Sequence, residues 1–204
     1  MKKRYEKDKA LLDNAFNLDD DIIVNRKFID IEFNDDIIGI SFDNCEFINC
    51  TFKSTVKGST FFNCLFDKCE MSNILIVESG IHMCLFKNSH NVGTRYIDCK
   101  IRNSEFNNSH MKFSIISSVT FDSVDFIECN IEQGSFSDTK FIKEIIFDNC
   151  NLIDSEVYDT HLKGVDVSNS KIEGISVNPN DIKGLIVNEA QAIDLIYLLG
   201  IVIK

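Results

Sequence analysis

Eight cysteines and four histidines are the residues of this 204-residue chain best equipped for chemistry. Thiolates and imidazoles hold structural zinc, and paired thiols make disulfide frameworks. The cysteines are Cys45, Cys50, Cys64, Cys69, Cys84, Cys99, Cys129 and Cys150. Each stands two positions before a large apolar residue: Phe47, Phe52, Phe66, Met71, Phe86, Ile101, Ile131 and Leu152. Two apart is strand spacing, so both side chains point to one side. A cysteine placed this way acts as a compact hydrophobe. No second set of ligands accompanies them, so no zinc and no disulfide framework is expected. The histidines, His82, His90, His110 and His161, fall at outward positions. His90 and His110 are expected to stack on one wall, but no carboxylate trio completes a metal site. No glycine-rich phosphate loop occurs. We therefore expect no catalytic residue, no cofactor, no metal and no enzyme.

The elements that carry these residues follow from a five-residue period. Units such as Cys64-Leu65-Phe66, Cys69-Glu70-Met71, Ser104-Glu105-Phe106 and Ser170-Lys171-Ile172 repeat along most of the chain. Between units lie pairs such as Asp67-Lys68, Asn107-Asn108 and Asp122-Ser123, residue types that suit corners. A period of five is neither helix nor plain strand and marks a repeat architecture. Each unit reads as a short strand plus a corner, and stacked coils bury one continuous core. Stepping by twenty sorts residues by kind: Phe66, Phe86, Phe106 and Phe126 form one column. It extends to Phe47 and Phe147 after a one-residue deletion before Phe61 and a one-residue insertion after Phe141. Stepping by fifteen gives a mixed column, so four units make a turn. Of the 17 Phe, all but Phe16, Phe62 and Phe113 occupy the large inward position. On this spacing Cys64 lies over Cys84 and Cys50 over Cys69. Asn91 is the one polar residue at a large inward position in the regular run. It is either inward in a buried ladder or displaced by Val92 through a bulge beside Gly93.

This pattern resembles the pentapeptide-repeat family, over residues 22–187. The resemblance implies an all-β solenoid, a right-handed quadrilateral β-helix of about eight coils and roughly 40 Å at ~4.8 Å per stacked strand. The ends of such a rod need caps. Residues 1–21 are the expected N-terminal cap. Within them, residues 3–16 read as an amphipathic helix with Tyr5, Leu11, Leu12, Ala15 and Phe16 as its apolar set, or as a partly disordered basic tail. At the other end Asn188 reads as an N-cap and Gln191 as its capping-box partner. A helix ending at Gly200 follows, then the apolar run Ile201-Val202-Ile203. An unpaired apolar edge is a liability that a symmetric partner removes. Residues 188–204 are therefore expected to form a dimer, with Ile193, Ile196, Tyr197, Leu199, Ile201, Val202 and Ile203 at the interface.

The segment Asn188, Gln191, Ala192…Leu199, Gly200, Ile201 resembles the end of Qnr-type quinolone-resistance proteins. That resemblance implies a tail-to-tail homodimer and a partner, DNA gyrase or topoisomerase IV, engaged by mimicry of duplex DNA. The chain departs from that family in lacking projecting loops.

Formal net charge is −11, which opposes direct binding to nucleic acid or an anionic membrane. No secretory signal or membrane-spanning run is evident, so a cytoplasmic location is expected. The charge is uneven. Residues 116–204 carry 15 acids and 6 bases, whereas residues 85–115 carry 2 acids and 5 bases: Lys87, Arg95, Lys100, Arg102 and Lys112. The expected partner surface comprises Asp122, Asp125, Glu128, Glu132, Asp138, Asp154, Glu156, Asp159 and Asp166. The same residues read equally as a solvated face. The basic band either binds an acidic partner or pairs with neighbouring acids. Outward apolar residues Leu75, Val77, Ile97 and Ile115 on one wall, and Leu65 and Leu85 on the next, offer a contact surface. The function expected is a DNA-mimicking dimer that modulates a topoisomerase or protects it from quinolones. The alternative is a protein-interaction scaffold with another partner.

Overall fold

In a computed structural model the described residues are 12–13, 21–143, 145–198 and 200–201. Short parallel strands stack into four walls. The first wall is a seven-stranded sheet running from Ile22–Val24 to Lys140–Phe141. The second is a nine-stranded sheet that includes Leu65–Asp67, Leu85–Lys87 and Glu105–Asn107. The third begins with Glu32–Phe33 and Thr51–Phe52 and continues as single bridges from Glu70 through His90, His110, Asn130 and Asn151 to Lys171. The fourth is an eight-stranded sheet from Ile37–Ile38 to Ser176–Val177. The chain visits the walls in this order and returns, one coil further on, to the first.

The register shows where the period slips. Phe42 pairs with Phe61 and Phe28 with Phe47, nineteen residues apart. Phe66 pairs with Phe86 and Phe86 with Phe106, twenty apart. Phe126 pairs with Phe147, twenty-one apart. The shortened coils come from four-residue steps, Phe33 to Ile37 and Phe52 to Val56, and the long one from residues 142–144.

Each corner needs one left-handed residue. Positive φ recurs every five positions at Asn63, Lys68, Asn73, Glu78, Met83 and Asn88, then Gly93. Asn, Asp and Gly tolerate that conformation best, which is why they crowd the corners. The amide of each corner residue donates to the next coil: Glu78 to the Ile97 carbonyl at 3.0 Å and Asp98 to the Ser117 carbonyl at 3.0 Å.

Inside, the second wall stacks Phe47, Phe66, Phe86, Phe106, Phe126 and Phe147 with ring centroids 4.5–5.1 Å apart. Such pairs contribute ~0.5–1.5 kcal/mol each beyond area burial. The small inward residues tie coils together. Cys129 Sγ donates to the Phe106 carbonyl and Cys150 Sγ to the Phe126 carbonyl, both at 3.3 Å. Ser104 Oγ accepts the Cys84 amide at 3.0 Å.

Asn91 is inward and fully buried, and no bulge displaces it. Tyr96, on the next wall, donates its hydroxyl to Asn91 Oδ1 at 3.4 Å, which gives the amide oxygen a partner. The Asn91 Nδ2 has none, and neither does the buried Ser114 Oγ.

The N-terminal expectation changes. Leu12–Asp13 form a strand paired with Arg26 and Lys27, extending the second wall by one rung rather than adding a helix. An unpaired strand edge satisfies its backbone this way. Tyr5, Leu11, Ala15 and Phe16 lie outside the described residues. At the other end the helix spans Glu189–Leu198. Its capping box is reciprocal: Gln191 N donates to Asn188 Oδ1 at 3.0 Å, and Asn188 N to Gln191 Oε1 at 2.8 Å. Gln191 also donates through Nε2 to the Val167 and Ser170 carbonyls, at 2.8 and 2.6 Å. One buried side chain thus starts the helix and fastens it to the last coils.

Candidate partner-binding surfaces

A hollow of about 30 Å³ lies in the last coils among Phe147, Leu152, Val157, Leu162, Val167 and Leu185, an apolar lining throughout. All eight cysteines are free and buried. Burial pushes the Cys64 thiol well up and the Cys99 thiol up to about 11. Among the described residues no three His, Cys, Asp or Glu are placed to hold a metal. His90 and His110 stack on the third wall with centroids 5.0 Å apart. His82 lies on the first wall against Asn103 at 3.0 Å, and its pKa is lowered by partial burial and then by Arg102.

The nine carboxylates singled out from sequence do not form one stripe. Asp122 is on the first wall, Asp125 and Asp166 on the second, Glu132 on the third and Glu156 on the fourth. Glu128, Asp154, Asp138 and Asp159 sit at three different corners. Asp125 alternates with the inward Val124 and Phe126 and so faces outward, yet it is buried at 7% exposure. It is the short member of a row between Glu105 and Ile146, whose longer side chains flank it. Glu132 is half-buried and bound to Lys112 at 2.6 Å, and Asp122 is bound to Lys143 at 3.5 Å. Asp166 is turned onto its own backbone, accepting from the Ser168 amide at 2.9 Å.

What the fold does align is the corner between the fourth and first walls. Its column reads Gly58, Glu78, Asp98, Ser118, Asp138 and Asp159. The four acids are exposed. Ser118 donates to Asp138 at 3.0 Å, and Lys57 meets Glu78 at a loose 3.8 Å. Carboxylates one or two coils apart are ~5–10 Å apart along the rod. Duplex DNA carries a phosphate every ~3.4 Å per strand, so this edge is a sparser line of charge. Glu78 and Asp98 were missed in the sequence. Stepping by twenty through the corner position, rather than the core position, finds them.

At the C-terminus Ile193, Tyr197 and Ile201 are 49%, 60% and 50% exposed, and Ile196 is half-buried. The helix instead buries Gln191 and Leu195 against the rod. Leu199, Val202 and Ile203 lie outside what can be described of side chains. The apolar residues of the fourth wall are only partly together. Val77 pairs with Ile97, but Arg95 stands between Leu75 and Ile115 in the neighbouring row. Leu65 and Leu85 are in register on the second wall.

Four walls, a five-residue corner repeat and coils of about twenty residues define the class: a pentapeptide-repeat β-solenoid with a C-terminal helix. Solved structures align with this chain at low identity. Trypsin-treated QnrB1, a plasmid-mediated fluoroquinolone resistance protein, is 17% identical, with 90% of this chain and 98% of that one covered and a TM-score of 0.32. HetL, a pentapeptide-repeat protein involved in heterocyst differentiation regulation in Nostoc, is 9% identical over 82% of this chain and 90% of that one, with a TM-score of 0.42. Rfr23, a pentapeptide-repeat protein from Cyanothece, is 11% identical over 56% of this chain and 64% of that one, with a TM-score of 0.26. No family model and no curated protein matches the sequence. Among the described residues no helix is long and apolar enough to cross a membrane.

Proposed function

We propose that this protein is a non-catalytic binding rod, acting as a tail-to-tail dimer that occupies the DNA-binding surface of a type II topoisomerase. DNA gyrase and topoisomerase IV are the partners meant, and inhibition or protection from quinolones is the consequence. The observation that carries the reading is the exposed acidic column Glu78, Asp98, Asp138 and Asp159, on a chain of net charge −11. Shape and charge suffice for this activity, which agrees with an interior packed by apolar side chains. The exposed Ile193, Tyr197 and Ile201 support the dimer, because a lone cap would leave that apolar surface in water. Two such rods joined at their C-termini extend the acidic edge across the junction. The test is a gyrase supercoiling assay with and without a fluoroquinolone. Wild-type protein should inhibit or protect at low micromolar concentration. A variant carrying Glu78→Lys, Asp98→Lys, Asp138→Lys and Asp159→Lys should do neither. No effect of a folded wild-type dimer would rule the reading out. A second reading, a scaffold for some other protein, is favoured by the exposed Phe113 and Ile115, at 50% and 42%.

A further inference from the structure

Phe113 is an aromatic side chain at a corner, a position that among the described residues carries one other large apolar side chain, Met83. It is a left-handed corner residue with φ 61°, in a column that reads Asn73, Gly93, Phe113, Gln133 and Asp154. Small or polar residues fill that conformation without difficulty, whereas a bulky one there is an outlier that invites a functional explanation. The ring is half exposed and turned from the core that holds nearly all the other phenylalanines. Its neighbour one coil back is Gly93, which adds no side chain of its own, and the Asn73 side chain from the coil before reaches over that glycine. Ile115 continues the apolar surface onto the fourth wall.

The charge around this aromatic is opposite to that of the chain. Arg95 is exposed and in register with Ile115. It makes no ion pair among the described residues. Lys112 Nζ lies 4.9 Å from the Phe113 ring centroid and is also held by Glu132 at 2.6 Å. The exposed His110 lies on the same wall as Lys112. An apolar anchor flanked by Arg95, and by Lys112 with its Glu132 partner, selects by charge complementarity on an acidic protein.

We propose that Phe113, Ile115 and Arg95, with Lys112 at the rim, form a docking site for an acidic segment of another protein that presents a large apolar side chain. The apolar side chain packs on the exposed face of the Phe113 ring, and the segment's carboxylates meet Arg95. This site covers the corner between the third and fourth walls and the fourth wall beside it, one corner along from Glu78 and Asp98, and does not depend on topoisomerase binding.

The test is selection of displayed random peptides on the immobilised full chain. It is followed by fluorescence anisotropy of the best peptide against wild type, Phe113→Asn and Arg95→Glu. Asn occupies the equivalent corner at position 73. Circular dichroism and melting check that each variant is folded. The proposal expects enriched peptides that combine Asp or Glu with Phe, Leu or Trp, weakened by salt. Phe113→Asn should lower affinity tenfold or more, and Arg95→Glu severalfold. The acidic-column variant should bind the peptide as wild type does. Selection of basic peptides only, or an acidic peptide that binds Phe113→Asn undiminished, would overturn it.

Discussion

The cysteines show how position sets chemistry at the scale of one residue. Each is a small inward residue whose thiol caps a carbonyl of the preceding coil, as Cys99 Sγ does to Ile76 at 3.3 Å. Reaction needs access to the thiol, and burial denies it. The folded protein should therefore resist a thiol reagent such as DTNB near neutral pH, and all eight cysteines should react once it is denatured. Rapid labelling of the native protein would contradict their placement. The same burial makes stability fall with alkali. The Cys99 pKa is raised in the folded state from 9.0 to about 11, so the folded form holds its proton longer than the unfolded chain. Its contribution is complete below pH 9 and is lost as pH rises towards 11, which thermal melts across that window should show. Asn91 is the opposite case, a polar group in the core with its Nδ2 unpartnered. Met71 and Met111 lie in the same inward column one coil to either side. Asn91→Met with Tyr96→Phe removes the orphan donor and the hydroxyl that leaned on it, and should raise stability by about 1–3 kcal/mol in chemical denaturation. A loss would mean that the polar pair is better satisfied than its geometry indicates. The sequence left Asn91 open between inward and bulged. The deciding fact is the Tyr96 hydroxyl five residues on, a contact between walls that a five-residue period does not reveal.

At the scale of the element, caps and corners were the most legible parts. The Asn188 and Gln191 spacing announced a capping box, and both of its hydrogen bonds form. That Gln191 also reaches the Val167 and Ser170 carbonyls was not legible, because it depends on how the helix folds back over the last coil. Gln191→Ala should cost about 2–4 kcal/mol, a lost cap plus the Ser170 carbonyl left without its donor, while the Val167 carbonyl keeps the Ser170 amide at 2.8 Å. Hydrogen exchange should then rise in residues 188–198 and at the last coils first. Unchanged protection would show that Leu195 packing alone fastens the helix. The slips at Phe33–Ile37 and Phe52–Val56 were visible as breaks in register, but their consequence for the surface was not. The nine carboxylates drawn from sequence scatter over four walls because they occupy different positions of the five-residue unit and of the coil, which a choice by acidity alone does not distinguish. Phe113 shows the converse: its departure from the core period was plain, while its exposure and left-handed backbone required the structure.

At the scale of the whole molecule, the rod divides its work between inside and outside. The stacked phenylalanines and inward cysteines give stiffness, and the corners present one residue per coil at a fixed rise. A charge placed there is held in line by the backbone of the next coil, not by its own side-chain contacts. This is why four carboxylates spread from Glu78 to Asp159 can act as one edge, and why the proposed function needs no pocket. The most direct measurement is displacement of a fluorescently labelled DNA duplex from DNA gyrase by the full-length protein, followed by anisotropy at low salt. The account predicts release of the duplex as protein is added, weakening as salt rises, and no release by the Glu78→Lys, Asp98→Lys, Asp138→Lys, Asp159→Lys variant. A duplex that stays bound at saturating protein, or is released equally by that variant, would contradict it.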